Sequence, residues 1–133
     1  MIQPYIGEVR MFGGSFAPRG WALCNGQLLS IDQNQSLYSL LGTLYGGDGR
    51  GTFGLPDLRG RTGIHTSQEI QLGSRGGRDI GPAPHQEKAE VLGPTEAGNV
   101  TAVTNVGGSG GGRSPYAVVL YIIATEGSFP PRD

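Results

Sequence analysis

Apolar positions along this chain cluster at its two ends and thin out in the middle. Ile6 to Phe12 alternates partially, with β-formers Ile6, Val9 and Phe12, and reads as a strand ended by Gly13-Gly14. Trp21 to Leu23 is a short extended piece. Asn25-Gly26 follows as the strongest two-residue hairpin signal in the chain, with Gln27 to Ile31 returning as the partner strand. Leu37, Leu40 and Leu41 share one face of a helix read over Gln33 to Leu41, capped by Ser30 or Asp32 and stopped by Gly42. Thr43 to Arg61 is irregular, but Leu44, Tyr45, Phe53, Leu55 and Leu58 fold it onto the core as a loop. Ala117 to Ala124 is β-branched and nearly all apolar, the pattern of a strand buried on both faces. Phe129-Pro130-Pro131 reads as an extended tail.

Between the apolar ends, Gln68 to Pro84 and Glu90 to Gly98 are polar and lack aromatic residues. Asn99 to Val106 alternates as a further strand, and Gly107 to Gly112 is a glycine-rich connector. Two regions follow. Residues 1–64 plus 115–133 form a lobe holding nearly all the large apolar residues, and 65–114 supply little core. A region unable to bury itself alone is expected to assemble with copies of itself. The fold class is mainly β with one short helix (α+β), loop-rich and glycine-rich. Those copies are expected to meet through 65–114, at the subunit contacts or tip.

Composition narrows the function classes. Gly 25 and Pro 9 make about a quarter of 133 residues, but the glycines are interspersed with Ile, Leu, Val and Tyr, which fits loops on a core rather than disorder. Charged residues are only 16%, the formal net charge is -1 and the pI is near 6.1, so nucleic acid is not an expected partner. Cys24 is the only cysteine, so no intrachain disulfide forms, and it reads as a small buried apolar residue beside Trp21. No basic-plus-apolar leader is evident, and the eight residues Ala117 to Ala124 fall far short of a membrane span. Synthesis in a cytoplasm without membrane insertion is the expectation.

Candidate chemistry is thin. His65 and His85 lie 20 residues apart, with only Glu87 near either at ligand spacing, so both read as exposed loop residues. Three copies of one histidine on a trimer axis would be the route to a metal, and none is assigned. Gly107 to Ser114 resembles a phosphate-binding loop with Arg113 in place of lysine, but Pro115 and the β-branched run after it replace the required helix. Gly107-Gly108-Ser109-Gly110-Gly111 matches a nucleophile elbow literally, inside a glycine run with no helix following. Gly46 to Gly51 carries one acid, Asp48, where a calcium loop needs several oxygen donors. Asn34-Gln35-Ser36 and Asn99-Val100-Thr101 match glycosylation sequons by coincidence. No catalytic residue, cofactor or metal is assigned, and the chain is read as a non-enzyme.

The densest pattern runs from Phe16 to Arg61. It opens Pro18-x-Gly20-Trp21-x-x-Cys24-Asn25-Gly26. It closes with Phe53-x-Leu55-Pro56-Asp57-Leu58-x-Gly60-Arg61. Trp21 and Phe53 need a core, and Trp21 is expected to pack against the loop holding Phe53 and Leu55. The pattern resembles the collar domain of phage tail fibre proteins. Pro4 to Val9 and Tyr116 to Pro130 are also similar to the small bacterial relatives called microcystin-dependent proteins. The stretch Gly81 to Glu90 stands where many relatives carry a metal-binding His-x-His pair. Here His85 is followed by Gln86 and Glu87, and the insertion after it is short.

The resemblance implies a structural component of the virion tail, a fibre or tip module at the baseplate involved in host attachment. Its partners would be itself, as a homotrimer, neighbouring tail or baseplate proteins, and a host cell-surface glycan met by loops of 65–114. The alternative is a baseplate or adaptor protein of a contractile injection particle with no receptor contact. The remaining one is a surface-glycan hydrolase.

Overall fold

The computed structural model describes residues 3–77 and 114–132. The chain divides into two units, residues 1–75 with 118–133, and residues 76–117. Most of the second unit, including the strand expected over Asn99 to Val106, the glycine run and His85, lies outside the described residues.

The elements of the first unit, in chain order, are β1 (Val9–Phe12), β2 (Trp21–Leu23), β3 (Leu28–Ser30), α1 (Gln35–Leu41), β4 (Thr52–Gly54) and β5 (Leu120–Ala124). The unit is mainly β with one short helix, as the pattern predicts. β5 is the centre of a three-stranded antiparallel sheet in the order β1-β5-β2, while β3 and β4 form a separate antiparallel pair. Register pairs Val9 with Ile123 and Phe12 with Leu120 on one side of β5, and Trp21 with Ala124 and Leu23 with Ile122 on the other. The almost unbroken apolar run of β5 follows from this central position. Ile122, Ile123 and Ala124 are consecutive and all buried, which requires cover on both faces. Residues 117–119, included in the expected strand, stay outside it and are exposed.

The core lies on the Ile123 face. Ile123 clusters with Ile6, Cys24, Leu37, Phe53 and Leu55, and Ala22, Leu29, Tyr38, Leu40, Leu41 and Leu58 pack around them. Helix α1 buries Leu37 completely and lays Leu40 and Leu41 against the same cluster, so the apolar stripe read from the sequence faces the core. Its start differs from the expectation. The residue before the helix is Asn34, not Ser30 or Asp32, and the Asn34 Nδ2 donates to the Ser30 carbonyl at 3.0 Å instead of capping the first turn. The stop is as read: the Gly42 N–H donates to the Tyr38 carbonyl at 2.7 Å.

The hairpin expected at Asn25-Gly26 does not form. The turn is present, with Gly26 at φ 79° and the Gln27 N–H donating to Asn25 Oδ1 at 3.2 Å. The flanking strands part company there, β2 pairing with β5 and β3 with β4. Asn-Gly chemistry dictates a tight reversal. Which strands pair afterwards is decided by longer-range partners, here β5 and Thr52–Gly54. The stretch from Thr43 to Arg61 therefore carries a strand where the pattern predicts a loop, although it does deliver Phe53 and Leu55 to the core. Among the described residues, no helix is long and apolar enough to cross a membrane.

Candidate functional site

The signature residues form a clasp between two loops. The Leu58 N–H donates to the Cys24 carbonyl at 2.9 Å, Gly26 N–H to Pro56 C=O at 3.2 Å, and Leu55 N–H to Gln27 C=O at 3.0 Å. Asn25 and Asp57 meet as an isolated antiparallel bridge. The Cys24 N–H reaches the Tyr121 carbonyl at 3.0 Å, which ties the clasp to β5. Pro18 and Gly20 work at the other end of β2. The Pro18 carbonyl accepts from Trp21 N–H at 3.0 Å, and the Gly20 carbonyl accepts from Thr125 N–H at 2.8 Å. Phe53 and Pro56 are buried, and Phe53 packs tilted on Tyr38 with ring centroids 5.4 Å apart. Cys24 is buried too, and burial pushes its thiol up to about 11, so it stays protonated as a small apolar group.

Trp21 is the member whose place differs from the sequence expectation. Side chains alternate across a strand, and β2 turns small Ala22 toward the core cluster. Trp21 therefore lies on the opposite sheet face, half-buried and apart from Phe53 and Leu55. That face also carries Arg10, Phe12, Leu23, Ile122 and Ala124 by register. The Arg10 guanidinium sits 5.1 Å from the Trp21 ring centroid, a cation–π contact, and its Nε donates to Glu8 Oε2 at 2.7 Å. That hydrogen bond holds the Glu8 carboxyl below its ordinary range.

Two carboxylates organise the loops. Asp48 Oδ1 accepts the N–H groups of Arg50, Gly51 and Thr52 at 2.9, 3.1 and 3.0 Å, and the Thr52 hydroxyl at 3.2 Å. These donors, the Arg50 N–H foremost, pull its carboxyl down to about 2. The arrangement is an Asx-type turn that aims Thr52 into β4. Gly47, beside it, is obligatory: its φ is 90°, and a Cβ there would run into the Phe53 backbone.

Asp57 gathers three arginines. Arg59 binds it in a fork, Nε to Oδ1 at 2.8 Å and Nη2 to Oδ2 at 2.9 Å. Arg61 Nη1 donates to the Asp57 carbonyl at 3.2 Å and stands 3.8 Å from Oδ2, and Arg75 Nη1 also stands 3.8 Å from Oδ2. The Arg59 hydrogen bond leads in holding the Asp57 carboxyl far below its usual range, and Asp57 raises Arg59 in turn. Gly60, at φ 67°, makes the turn between Arg59 and Arg61. The alternating Asp57-x-Arg59-x-Arg61 is visible in the sequence, whereas the approach of Arg75, 18 residues from Asp57, is not.

His65 is exposed, and His85 and Glu87 lie outside the described residues. Among the described residues, no three His, Cys, Asp or Glu side chains gather as a metal site. The arrangement is a fastened scaffold with a charged rim. Residues 7–63 match the family model of the phage tail collar domain. No curated protein matches the chain. The match covers the clasp and both signature stretches, and stops short of β5, which nonetheless sits at the centre of the sheet they build.

Proposed function

We propose, from the match of residues 7–63 to the phage tail collar domain, that this chain is a structural component of a virion tail, a homotrimeric fibre or tip module at the baseplate that takes part in host-surface attachment. One observation carries the assembly. Among the described residues, thirteen large apolar side chains are exposed, including Met11 at 67%, Ile64 at 70% and Val118 at 84%, against eight buried apolar residues. A single copy thus leaves more large apolar groups outside than it encloses, and such surface favours burial against another subunit. Edge strand β1 contributes Val9 and Met11 on the same sheet face as Ile123.

Attachment fits a rigid, hydrogen-bonded scaffold from which loops project. Weak single contacts would gain useful strength through several copies. The competing reading is an adaptor that holds neighbouring tail or baseplate proteins and never meets the host. Purified protein, added to host cells at micromolar concentration before the particles, separates the two. Attachment predicts slower particle adsorption. Adsorption at the untreated rate, with the protein shown to be folded and trimeric, favours the adaptor.

A further inference from the structure

The arginines around Asp57 outnumber what one carboxylate neutralises. Three guanidiniums face a single carboxylate that is itself held ionised, so the cluster carries an excess of about two positive charges within a chain of net charge -1. The carboxylate is sheltered, its side chain 15% exposed, while Arg59, Arg61 and Arg75 are 70%, 38% and 61% exposed. The negative charge is therefore turned inward and the positive charges outward.

Two of the three are also held in place. Arg59 is fixed by its fork on Asp57, which uses Nε and one terminal nitrogen and leaves the other terminal nitrogen, Nη1, outside the fork. Arg61 is tied through Nη1 to the backbone carbonyls of Asp57 and Arg59. Arg75 approaches only at 3.8 Å, beyond hydrogen-bond length, so its fork-shaped set of donors is available to a ligand. Asp57 acts as a hub that collects the guanidiniums and lowers their mutual repulsion. For Arg59 and Arg61 that ordering is already in place before any ligand arrives, which reduces the entropic cost of binding.

We propose that Arg59, Arg61 and Arg75 form an anion-binding site for phosphate groups of a host-surface polymer. Guanidinium donors match phosphate oxygens in geometry, and an excess of two charges suits a phosphate monoester or two neighbouring diesters. The proposal names the ligand chemistry for the attachment role and rests on that reading. Its test uses the isolated protein, so it succeeds or fails independently of adsorption.

Titration calorimetry of the full chain with sodium tripolyphosphate, at about 25 mM and then 150 mM salt, is the experiment. Saturable binding that weakens with salt is expected. Arg75→Gln leaves every hydrogen bond of the clasp intact and is expected to weaken binding at least about fivefold. The Arg59→Gln, Arg75→Gln double variant is expected to weaken it more than about tenfold. Arg19→Gln with Arg132→Gln, the same charge change made outside the cluster, is expected to alter it less than about twofold. No saturable binding, or equal losses in the two double variants, overturns the site. A trigalacturonate, which carries carboxylates and no phosphate, binding as tightly at matched charge overturns the phosphate assignment.

Discussion

Phe53→Ala tests the packing on which the whole clasp depends. Phe53 is fully buried, lies on β4 opposite Leu29, and packs on Tyr38 of α1. It is the largest fully enclosed side chain among the described residues and joins the second sheet to the helix. A buried phenylalanine removes on the order of 200 Å² from water. At about 25 cal/mol per Å² that is about 5 kcal/mol. The alanine methyl retains a fraction, and the cavity left behind adds a penalty, giving an expected loss of about 3–5 kcal/mol. Urea denaturation at fixed protein concentration is the assay, because the proposed assembly would make stability depend on concentration. Trp21, the single tryptophan, is a natural reporter by fluorescence. With a slope of about 1–3 kcal/mol per molar urea, the midpoint should drop by about 1 M or more. Phe53→Leu, which keeps most of the volume, should lose about 1–2 kcal/mol and keeps the test open should the alanine variant fail to fold. Trp21→Ala, monitored by circular dichroism, should cost less than Phe53→Ala because its ring is half-buried under Arg10. A Phe53→Ala loss below about 1 kcal/mol, or a larger loss at Trp21, refutes this picture of the core.

Gly47→Ala combines a positive φ with a Cβ driven into the Phe53 backbone, and should lower stability by at least about 2 kcal/mol, whereas Gly51→Ala, with open space around it, should stay within about 1 kcal/mol in the same melt. Asp48 has a folded pKa of about 2 against an ordinary 3.8, so its contribution is fully present above about pH 4 and is lost as pH falls toward 2; in Asp48→Asn that step of the stability–pH curve should vanish, and an unchanged curve contradicts the turn's role. Cys24, buried with its thiol near 11, should react with a thiol reagent at pH 8 only in denaturant, and rapid labelling of the native protein contradicts its burial.

Local features were the ones legible in the sequence. The apolar run of β5, the Leu37 stripe of α1 and the Gly42 stop all follow from residue type and spacing, although the strand starts at Leu120 and leaves Val118 and Val119 of that run exposed. The misreadings share one cause, which is that partner choice is non-local. Asn25-Gly26 specifies a turn, but the β2–β3 hairpin loses to pairing with β5 nearly a hundred residues later. Thr52–Gly54 is only three residues, with glycine before it and at its end, too short to show alternation, and becomes a strand because Leu28–Ser30 needs a partner. Size alone assigns Trp21 to the core, yet the alternation of β2 gives the core face to Ala22. The signature is the most specific feature of the chain, since Cys24, Gly26, Pro56 and Asp57 serve one clasp while Pro18 and Gly20 fasten the other end of β2. The arginine cluster stays half-hidden because Arg75 reaches Asp57 through tertiary structure.

The central claim is that this chain is a trimeric structural part of a tail. Quantitative mass spectrometry on purified particles tests it most directly. The chain should be present at three copies, or a multiple of three, per tail. Its absence from particles that are otherwise complete and infectious would contradict the claim.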